Sequence, residues 1–260
     1  MQKVLGLIIL MVFGPLASLE ASTYRKIVTM NIHCYQDNWD FRVQQILNYF
    51  ISTNQDVIAL QEVCTDPSQN HSQIDYIFRY LSNHGYPIRS FEAQYTHPAW
   101  NQYDEYLLVI SKHPNQSVDK GFLPQSPLQR GYIGLFIEGR WYINIHLEYR
   151  HDQANFRRQQ LDFLKTHFHD SPHIIMGDFN SHPEAPEQTG IRDSGYWAAF
   201  PGPSHIGHDG NNSDRIDGFW ISPALQPQLE HHISRIVLDQ KVNGQYLSDH
   251  FAVLLEAFFR

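Results

Sequence analysis

Apolar residues recur along the chain with two different periods. In three segments they return every three or four positions, which is the spacing that one buried face of a helix requires. These predicted helices are Phe41–Ile51, Ile74–Leu81 and Asn155–Phe168. Shorter runs that are continuously apolar, or that alternate with polar residues, predict strands. The predicted strands are Lys26–Ile32, Val57–Leu60, Ile88–Ala93, Tyr106–Ile110, Tyr132–Ile137, Trp141–Leu147, His173–Met176, Phe219–Ile221, Ile233–Leu238 and Phe251–Phe258.

Helices and strands are mixed along the sequence, and neither an internal repeat nor a Gly/Ser-rich or Pro-rich linker divides it. This order predicts an α/β or α+β sandwich in which helices cover buried sheets. The segment Ser194–Ser213 contains several Gly, Pro and Asn residues, and we expect an exposed loop there. We expect the basic pair Arg157-Arg158 to lie on the exterior of the third helix.

The first residues have the pattern of a secretory signal peptide. Lys3 precedes the apolar run Val4–Phe13, and small residues follow up to Ser22. The apolar run is short for a membrane span. We therefore predict a signal peptide over residues 1–21, a single domain over residues 22–260, and a secreted or periplasmic location. An N-terminal strand or an uncleaved anchor is the alternative.

Composition narrows the classes of protein further. The chain has 260 residues, 42% of them hydrophobic and 18% charged, which is typical of a globular protein. A net charge of −8 argues against a protein that coats nucleic acid through bulk positive charge.

Cys34 and Cys64 each follow a predicted strand. They are either a disulfide, which an oxidising compartment would allow, or two unrelated thiols, and both alternatives remain open.

Polar and acidic residues recur at the ends of the apolar strands. A strand end can hold such a side chain in a shared cleft, and buried carboxylates are costly unless they are paired or bound to metal. Several of them at one rim would indicate a cation site. The residues in such positions are Asn31, Gln61, Glu62, His146, Asp178, Asn180, Asp217, Asp249 and His250.

Six short stretches surround these residues, namely Thr29–Ile32, Ala59–Val63, Ile143–Leu147, Met176–Asn180, Arg215–Asp217 and Leu247–His250. In this order they resemble the endonuclease/exonuclease/phosphatase superfamily. The resemblance implies a two-sheet β-sandwich flanked by helices on both outer faces, the four-layer α/β (α+β) sandwich of the deoxyribonuclease type.

The resemblance also implies a divalent cation, most often Mg²⁺, with Mn²⁺ or Ca²⁺ as alternatives. Glu62 would be the principal ligand of the metal. Asn31 and Asp249 would lie beside it, either as ligands or through water. Oxygen ligands of this kind suit Mg²⁺, which keeps several waters and binds phosphate oxygens of a substrate.

The catalytic roles that the resemblance implies fall on five residues. Asp178 would orient or deprotonate the attacking water, and Asn180 would hold that water or a phosphoryl oxygen. His250 would contact the phosphate, with Asp217 bonded to its second ring nitrogen. His146 would be a second imidazole at the phosphate and a proton donor.

The histidine at position 146 favours the deoxyribonuclease and sphingomyelinase branches of the superfamily. In the deoxyribonuclease type an upstream acidic residue supports this histidine, and Glu92 is the best candidate here, with a solvated strand carboxylate as the alternative. We expect a monomeric phosphodiesterase with no obligate protein partner and with nucleic acid as the first substrate. A sphingomyelinase-like enzyme acting on phospholipid and a catalytically inactive binding module of the same fold are the alternatives.

Overall fold

A computed structural model describes residues 22–69, 71–99, 102–124, 126–206 and 212–260. The predicted signal peptide, residues 1–21, lies outside the described residues. None of the helices in the described ranges combines the length and the apolar character that crossing a membrane requires.

The described part of the chain forms four α-helices and fifteen strands. Three 3₁₀ turns accompany them, at His151–Gln153, Pro186–Gln188 and Gln226–Gln228. The helices are α1 (Trp39–Thr53), α2 (Gln73–Asn83), α3 (Ala154–His167) and α4 (Thr189–Asp193). The strands are β1 (Thr23–Asn31), β2 (Val57–Asp66), β3 (His71–Ser72), β4 (Ser90–Ala99), β5 (Tyr103–Ser111), β6 (Ser117–Phe122), β7 (Gly131–Ile137), β8 (Arg140–His146), β9 (His173–Asp178), β10 (Trp197–Ala199), β11 (His205–Ile206), β12 (Asn212–Asp214), β13 (Asp217–Ile221), β14 (Leu229–Val237) and β15 (Ala252–Phe259).

Two sheets pack face to face. The first has the order β14-β15-β1-β2-β5-β4, with β3 attached to β2, and the second has the order β10-β13-β9-β8-β7-β6. The inner core is apolar and draws residues from both sheets, for example Ile27 and Val57 from the first and Ile133 and Phe219 from the second. This arrangement confirms the predicted two-sheet sandwich.

Helices cover the outer face of each sheet, so the molecule has four layers. Helix α1 buries Ile46, Leu47 and Phe50 against the first sheet, because these residues share one face at helical spacing. Its C-cap residue, Asn54, adopts a left-handed φ of 53°, a conformation that Asn tolerates better than most residues and that ends a helix. Helix α3 buries Leu161 and Leu164 on the second sheet in the same way.

Each sheet contains one parallel pair of strands, and this pairing positions the site. Strands β1 and β2 run parallel and are connected by α1, and strands β8 and β9 run parallel and are connected by α3. The carboxyl ends of parallel strands lie at the same edge of a sheet, where open α/β folds bind their ligands. The two pairs therefore bring their following residues to one end of the sandwich.

The structure corrects two local predictions. Strands β10 and β11 lie within Ser194–Ser213, the segment predicted as a loop, of which residues 207–211 are outside the described residues. Arg157 does not face outward, because it is 3% exposed and its guanidinium donates to Glu187 Oε1 at 3.0 and 2.8 Å. A buried arginine can sit on a helix when a partner from elsewhere in the chain neutralises it.

The structure joins Cys34 and Cys64 in a disulfide with a Cα–Cα distance of 5.2 Å. Both residues are buried, and they pack with Ala99, Tyr35 and Tyr103. The backbone N–H of Cys34 also donates to the carbonyl of Glu62 at 3.1 Å. The loops that follow β1 and the bulge of β2 are thus fixed to each other.

Candidate active site

Eight of the nine polar residues that the sequence places at strand ends come together at one edge of the two sheets, and the ninth, Gln61, lies beneath them. His146, Asp178 and Asp217 are direct neighbours across β8, β9 and β13. Asn31 joins the two sheets, because its Nδ2 donates to Glu62 Oε1 at 2.9 Å and to Asp178 Oδ2 at 3.2 Å. The complete set is Asn31, Glu62, His146, Asp178, Asn180, Asp217, Asp249 and His250.

Glu62 reaches the site through an irregularity of its strand. The pairing of β2 with β5 shifts between Leu60 and Val63, and Glu62 at this bulge has a φ of 52°. Left-handed backbone at residues other than glycine is uncommon and concentrates at functional sites. The bulge lets Glu62 leave the alternation of the strand and turn toward Asn31.

A buried amide bridge supports this irregular region from below. Gln61 Nε2 donates to Asn144 Oδ1 at 2.6 Å, and Asn144 Nδ2 donates to the carbonyls of Leu60 and Leu108 at 2.8 and 3.1 Å. Both amides are fully buried. These hydrogen bonds connect the two sheets and hold β2 and β8 in a fixed relative position beneath the site.

Asp178 and Asn180 are set by a tight backbone path at the end of β9. Gly177 has a φ of 140°, and a Cβ at this position would overlap the carbonyl oxygen of Ile145. The backbone N–H of Asn180 donates to Asp178 Oδ1 at 2.8 Å, while its Nδ2 donates to the carbonyl of Leu147 at 3.0 Å. The turn thus fixes the Asp178 carboxylate, whose Oδ2 faces the other site residues.

His250 and Asp217 form a buried pair. The Nδ1 of His250 lies 2.9 Å from Asp217 Oδ2, and its Nε2 lies 3.7 Å from Asp178 Oδ2. Burial alone would lower the pKa of His250, but the Asp217 and Asp178 carboxylates outweigh it and raise the pKa well above its usual value. The two carboxylates thus favour the charged form of His250, with one ring nitrogen held by Asp217 and the other directed toward the site.

His146 has a different environment. Its Nε2 lies 3.5 Å from Asp178 Oδ2, and its Nδ1 lies 3.1 Å from Arg130 Nη1 and 3.4 Å from Glu105 Oε1. Burial and then the Arg130 guanidinium lower the pKa of His146 to about 3. Burial and the guanidinium thus disfavour the charged form of His146, and its role as a proton donor stays a prediction.

Glu105, not Glu92, is the carboxylate beside His146. Glu92 instead accepts a hydrogen bond from Lys120 Nζ at 3.0 Å on the neighbouring edge strand β6, so the supporting role predicted for it is wrong. Glu105 is 3% exposed and lies on the same face of β5 as Leu107 and Val109, which belong to the core. This alternation is visible in the sequence and could have identified Glu105, because an acid on the inward face of a strand requires a partner.

Asp249 lies in the loop that precedes β15, next to His250. Its Oδ1 is 3.4 Å from His33 Nδ1 and 3.2 Å from the Ser248 hydroxyl. Burial alone would raise the pKa of Asp249, but His250, His33 and His205 outweigh it and lower the pKa. A cleft of about 500 Å³ opens beside Asp249, between the loop that follows β1, strand β11 and the loop that precedes β15.

Comparison with known proteins agrees with this fold. A family model described as "Endonuclease/Exonuclease/phosphatase family" matches residues 28–250, and the chain belongs to this family. A search of curated proteins found no match. Similar solved structures include an endonuclease/exonuclease/phosphatase family protein from Leptotrichia buccalis, with 17% identity, a TM-score of 0.74 and coverage of 90% of this chain and 99% of that one.

Two further structures show the same fold at similar distance. Truncated TDP2 from Caenorhabditis elegans has 17% identity, a TM-score of 0.69 and coverage of 91% of this chain and 98% of that one. An endonuclease/exonuclease/phosphatase from Beutenbergia cavernae has 18% identity, a TM-score of 0.73 and coverage of 91% and 72%. At these identities the likeness shows the fold, while the family assignment makes this chain a member of a group of divalent-metal-dependent phosphoesterases.

The residues of the site fit a divalent cation. Burial, followed by the neighbouring Glu105 carboxylate, raises the pKa of Glu62 above its usual range, although the hydrogen bond from Asn31 opposes this. Such crowding of carboxylates is costly unless a cation offsets it. Three groups of the described residues have ligand atoms within 4.8 Å of one another, namely Glu62, Glu105 and His146, then Asp178, Asp217 and His250, and finally His205, Asp249 and His250.

Hydrogen bonds to neighbouring protein groups occupy both polar atoms of the Asn31 side chain. Its Oδ1 accepts the backbone N–H of His33 at 3.0 Å, and its Nδ2 donates to Glu62 and Asp178. In this arrangement Asn31 orients the two carboxylates rather than presenting its own oxygen to a cation. Glu62 and Asp249 would then hold the metal, and a place for Asn31 beside it through water stays a prediction.

Proposed function

We propose that this protein is an exported, divalent-metal-dependent phosphodiesterase that hydrolyses nucleic acid by attack of water on a phosphodiester. The observation that carries the proposal is the convergence of Asp178 with a charged histidine. The Asp178 Oδ2 atom lies 3.7 Å from the Nε2 of His250, whose opposite nitrogen is bonded to Asp217. A base and a cationic donor within one small buried site are what ester hydrolysis requires.

The chain's own residues would divide the proton transfers between them. Asp178 accepts a proton from the attacking water, whose oxygen forms the new bond to phosphorus. The bond from phosphorus to the leaving oxygen breaks, and that oxygen takes a proton from His250 Nε2. Asp217 keeps His250 charged until this step. A divalent cation held by Glu62 and Asp249 would neutralise charge on the phosphate and on the leaving oxygen.

The cleft beside Asp249 supports a nucleotide over a lipid as the substrate. Its lining offers ring, amide and carboxylate groups, among them His33, His205, Gln245 and Tyr246. These groups suit the planar faces and polar edges of a base. The cleft presents few apolar side chains to acyl chains, and Ile206 is one of them. A phospholipid substrate is therefore the alternative outcome of the substrate test.

Export is proposed on the N-terminal pattern of Lys3 followed by Val4–Phe13. The Cys34–Cys64 disulfide supports it, since such bonds persist in oxidising compartments. Secretion of the full chain with removal of residues 1–21, checked by N-terminal sequencing of the released protein, tests this part of the proposal.

The activity is tested on purified protein with Mg²⁺ or Mn²⁺ against plasmid DNA, RNA, sphingomyelin vesicles and bis-p-nitrophenyl phosphate. We expect cleavage of nucleic acid, and a collapse of turnover in Asp178→Asn. The matched control is Asp170→Asn, because the Asp170 side chain is 94% exposed and contacts the adjacent His169. Turnover of sphingomyelin alone would assign the lipid alternative, and the absence of turnover on every phosphoester would contradict the proposal.

A further inference from the structure

The Nδ1 atom of His146 lies close to two buried charged side chains, those of Arg130 and Glu105. The three residues come from different parts of the chain. Arg130, Glu105 and His146 are each 2–3% exposed. Arg130 Nη1 lies 3.1 Å from His146 Nδ1 and 3.4 Å from Glu105 Oε1, and the latter oxygen lies 3.4 Å from the same Nδ1. Arg130 directly precedes β7, Glu105 lies on β5 and His146 ends β8.

The chemistry of the guanidinium decides which nitrogen of His146 carries a hydrogen. An arginine can only donate hydrogen bonds, so a nitrogen 3.1 Å from Nη1 must accept one. A hydrogen on Nδ1 would instead place two donors against each other. Glu105 Oε1 lies farther from Nδ1, at 3.4 Å, and accepts a hydrogen bond from Arg130. Nδ1 therefore has no hydrogen, and the ring hydrogen is on Nε2.

We propose that Arg130 is a positioning residue that holds His146 as a neutral imidazole with its hydrogen on Nε2. The inference deepens the proposed function and rests on it. His146 Nε2 faces Asp178 Oδ2 at 3.5 Å, so this N–H is directed toward the place where the water and the phosphate meet. His146 then stabilises an oxygen by a hydrogen bond and delivers no proton.

The two histidines of the site differ because their Nδ1 atoms face opposite charges. His250 Nδ1 is bonded to the Asp217 carboxylate, whereas His146 Nδ1 is nearest to the Arg130 guanidinium. One imidazole is thus suited to give a proton and the other to donate a fixed hydrogen bond. A neutral His146 adds no second positive charge beside Asp178, which already faces His250 at 3.7 Å.

The ring state is measured by two-bond ¹H–¹⁵N correlation spectra of protein labelled with ¹⁵N at histidine, with the His146 signals assigned by their loss in His146→Asn. At pH 7 we expect the pattern of a neutral ring with its hydrogen on Nε2. An Nδ1–H pattern or an imidazolium pattern in the unmodified protein would overturn the proposal. Because no substrate is present, this result is independent of the proposed activity.

Substitution tests the role of Arg130 itself. In Arg130→Gln we expect the His146 pattern to change and kcat to fall by roughly 10²–10³-fold, as for loss of one fixed donor to a reacting oxygen. The matched control is Arg140→Gln, since Arg140 is also buried but stacks on Phe259, away from the site. An unchanged His146 spectrum in folded Arg130→Gln would overturn the positioning role. If that variant does not fold, Glu105→Gln keeps Arg130 in place, and loss of the Nε2–H pattern there would transfer the role to Glu105.

Discussion

Removal of the Cys34–Cys64 disulfide is expected to weaken both the fold and the metal site. The bond closes a loop with a sequence separation of 30 residues. In the chain-entropy model, a loop of this length corresponds to about 3–4 kcal/mol of free energy of unfolding. Since domains have total stabilities of roughly 5–15 kcal/mol, this is a large share. The double variant Cys34→Ala/Cys64→Ala removes the bond without adding a buried hydroxyl.

The effect on the site follows from where the two cysteines lie. Cys34 comes three residues after Asn31, and Cys64 comes two residues after Glu62. The bond therefore limits the relative motion of two residues that shape the proposed cation site. We expect the double variant to need more Mg²⁺ for half-maximal turnover than the unmodified protein, even at temperatures where it is folded.

Urea unfolding followed by circular dichroism measures the first effect, and Mg²⁺ titration of hydrolysis measures the second. Treatment of the unmodified protein with dithiothreitol should reproduce both changes, while the double variant should not respond to the reagent. A free energy of unfolding within 1 kcal/mol of the unmodified value, together with an unchanged Mg²⁺ requirement, would refute the reasoning.

Three further changes test other parts of the account. Gly177→Ala should destabilise the fold by about 2 kcal/mol or more in urea unfolding, because its φ of 140° and the Ile145 carbonyl leave no room for a Cβ; a neutral result would contradict this. Burial lowers the pKa of His173 to about 4, so below pH 6.5 the unfolded chain binds a proton that the folded chain does not, and the free energy of unfolding should fall by up to about 3 kcal/mol as the pH drops to 4. His173→Gln should flatten this part of the pH profile, and an equal slope in both proteins would count against it. Glu105→Gln should lower kcat while Glu92→Gln should not, and equal effects would remove the distinction between the two acids.

Most of the site could be predicted because its residues follow a local rule. Asn31, Asp178 and His250 each adjoin an apolar strand, and a family resemblance needs only such short stretches in order. The ends of parallel strands then meet at one edge of the sheets for topological reasons. The sequence therefore predicts which residues gather, since neither the strand end nor the order depends on distant contacts.

The rest depended on partners that are distant along the chain. Glu105 acquires its role only when β5 lies beside Arg130 and His146. Its position on the inward face of the strand indicates burial but not which groups it meets. Arg157 is buried because Glu187 reaches it from another segment. The sequence does not predict strand β6, because this edge strand has no buried residue and therefore no apolar alternation. Long-range pairing, rather than local propensity, decides each of these cases.

The dependence of hydrolysis on a cation held by Glu62 tests the central claim most directly. Protein stripped with a chelator is assayed on DNA while Mg²⁺ or Mn²⁺ is returned, in the unmodified protein, in Glu62→Gln and in the exposed control Glu230→Gln. We predict no turnover without metal, restoration in the unmodified protein and the control, and a Mg²⁺ requirement in Glu62→Gln raised beyond the roughly 10–100-fold typical of outer-sphere partners. Full turnover in the presence of the chelator, or a Glu62→Gln variant with an unchanged Mg²⁺ requirement, would contradict the account.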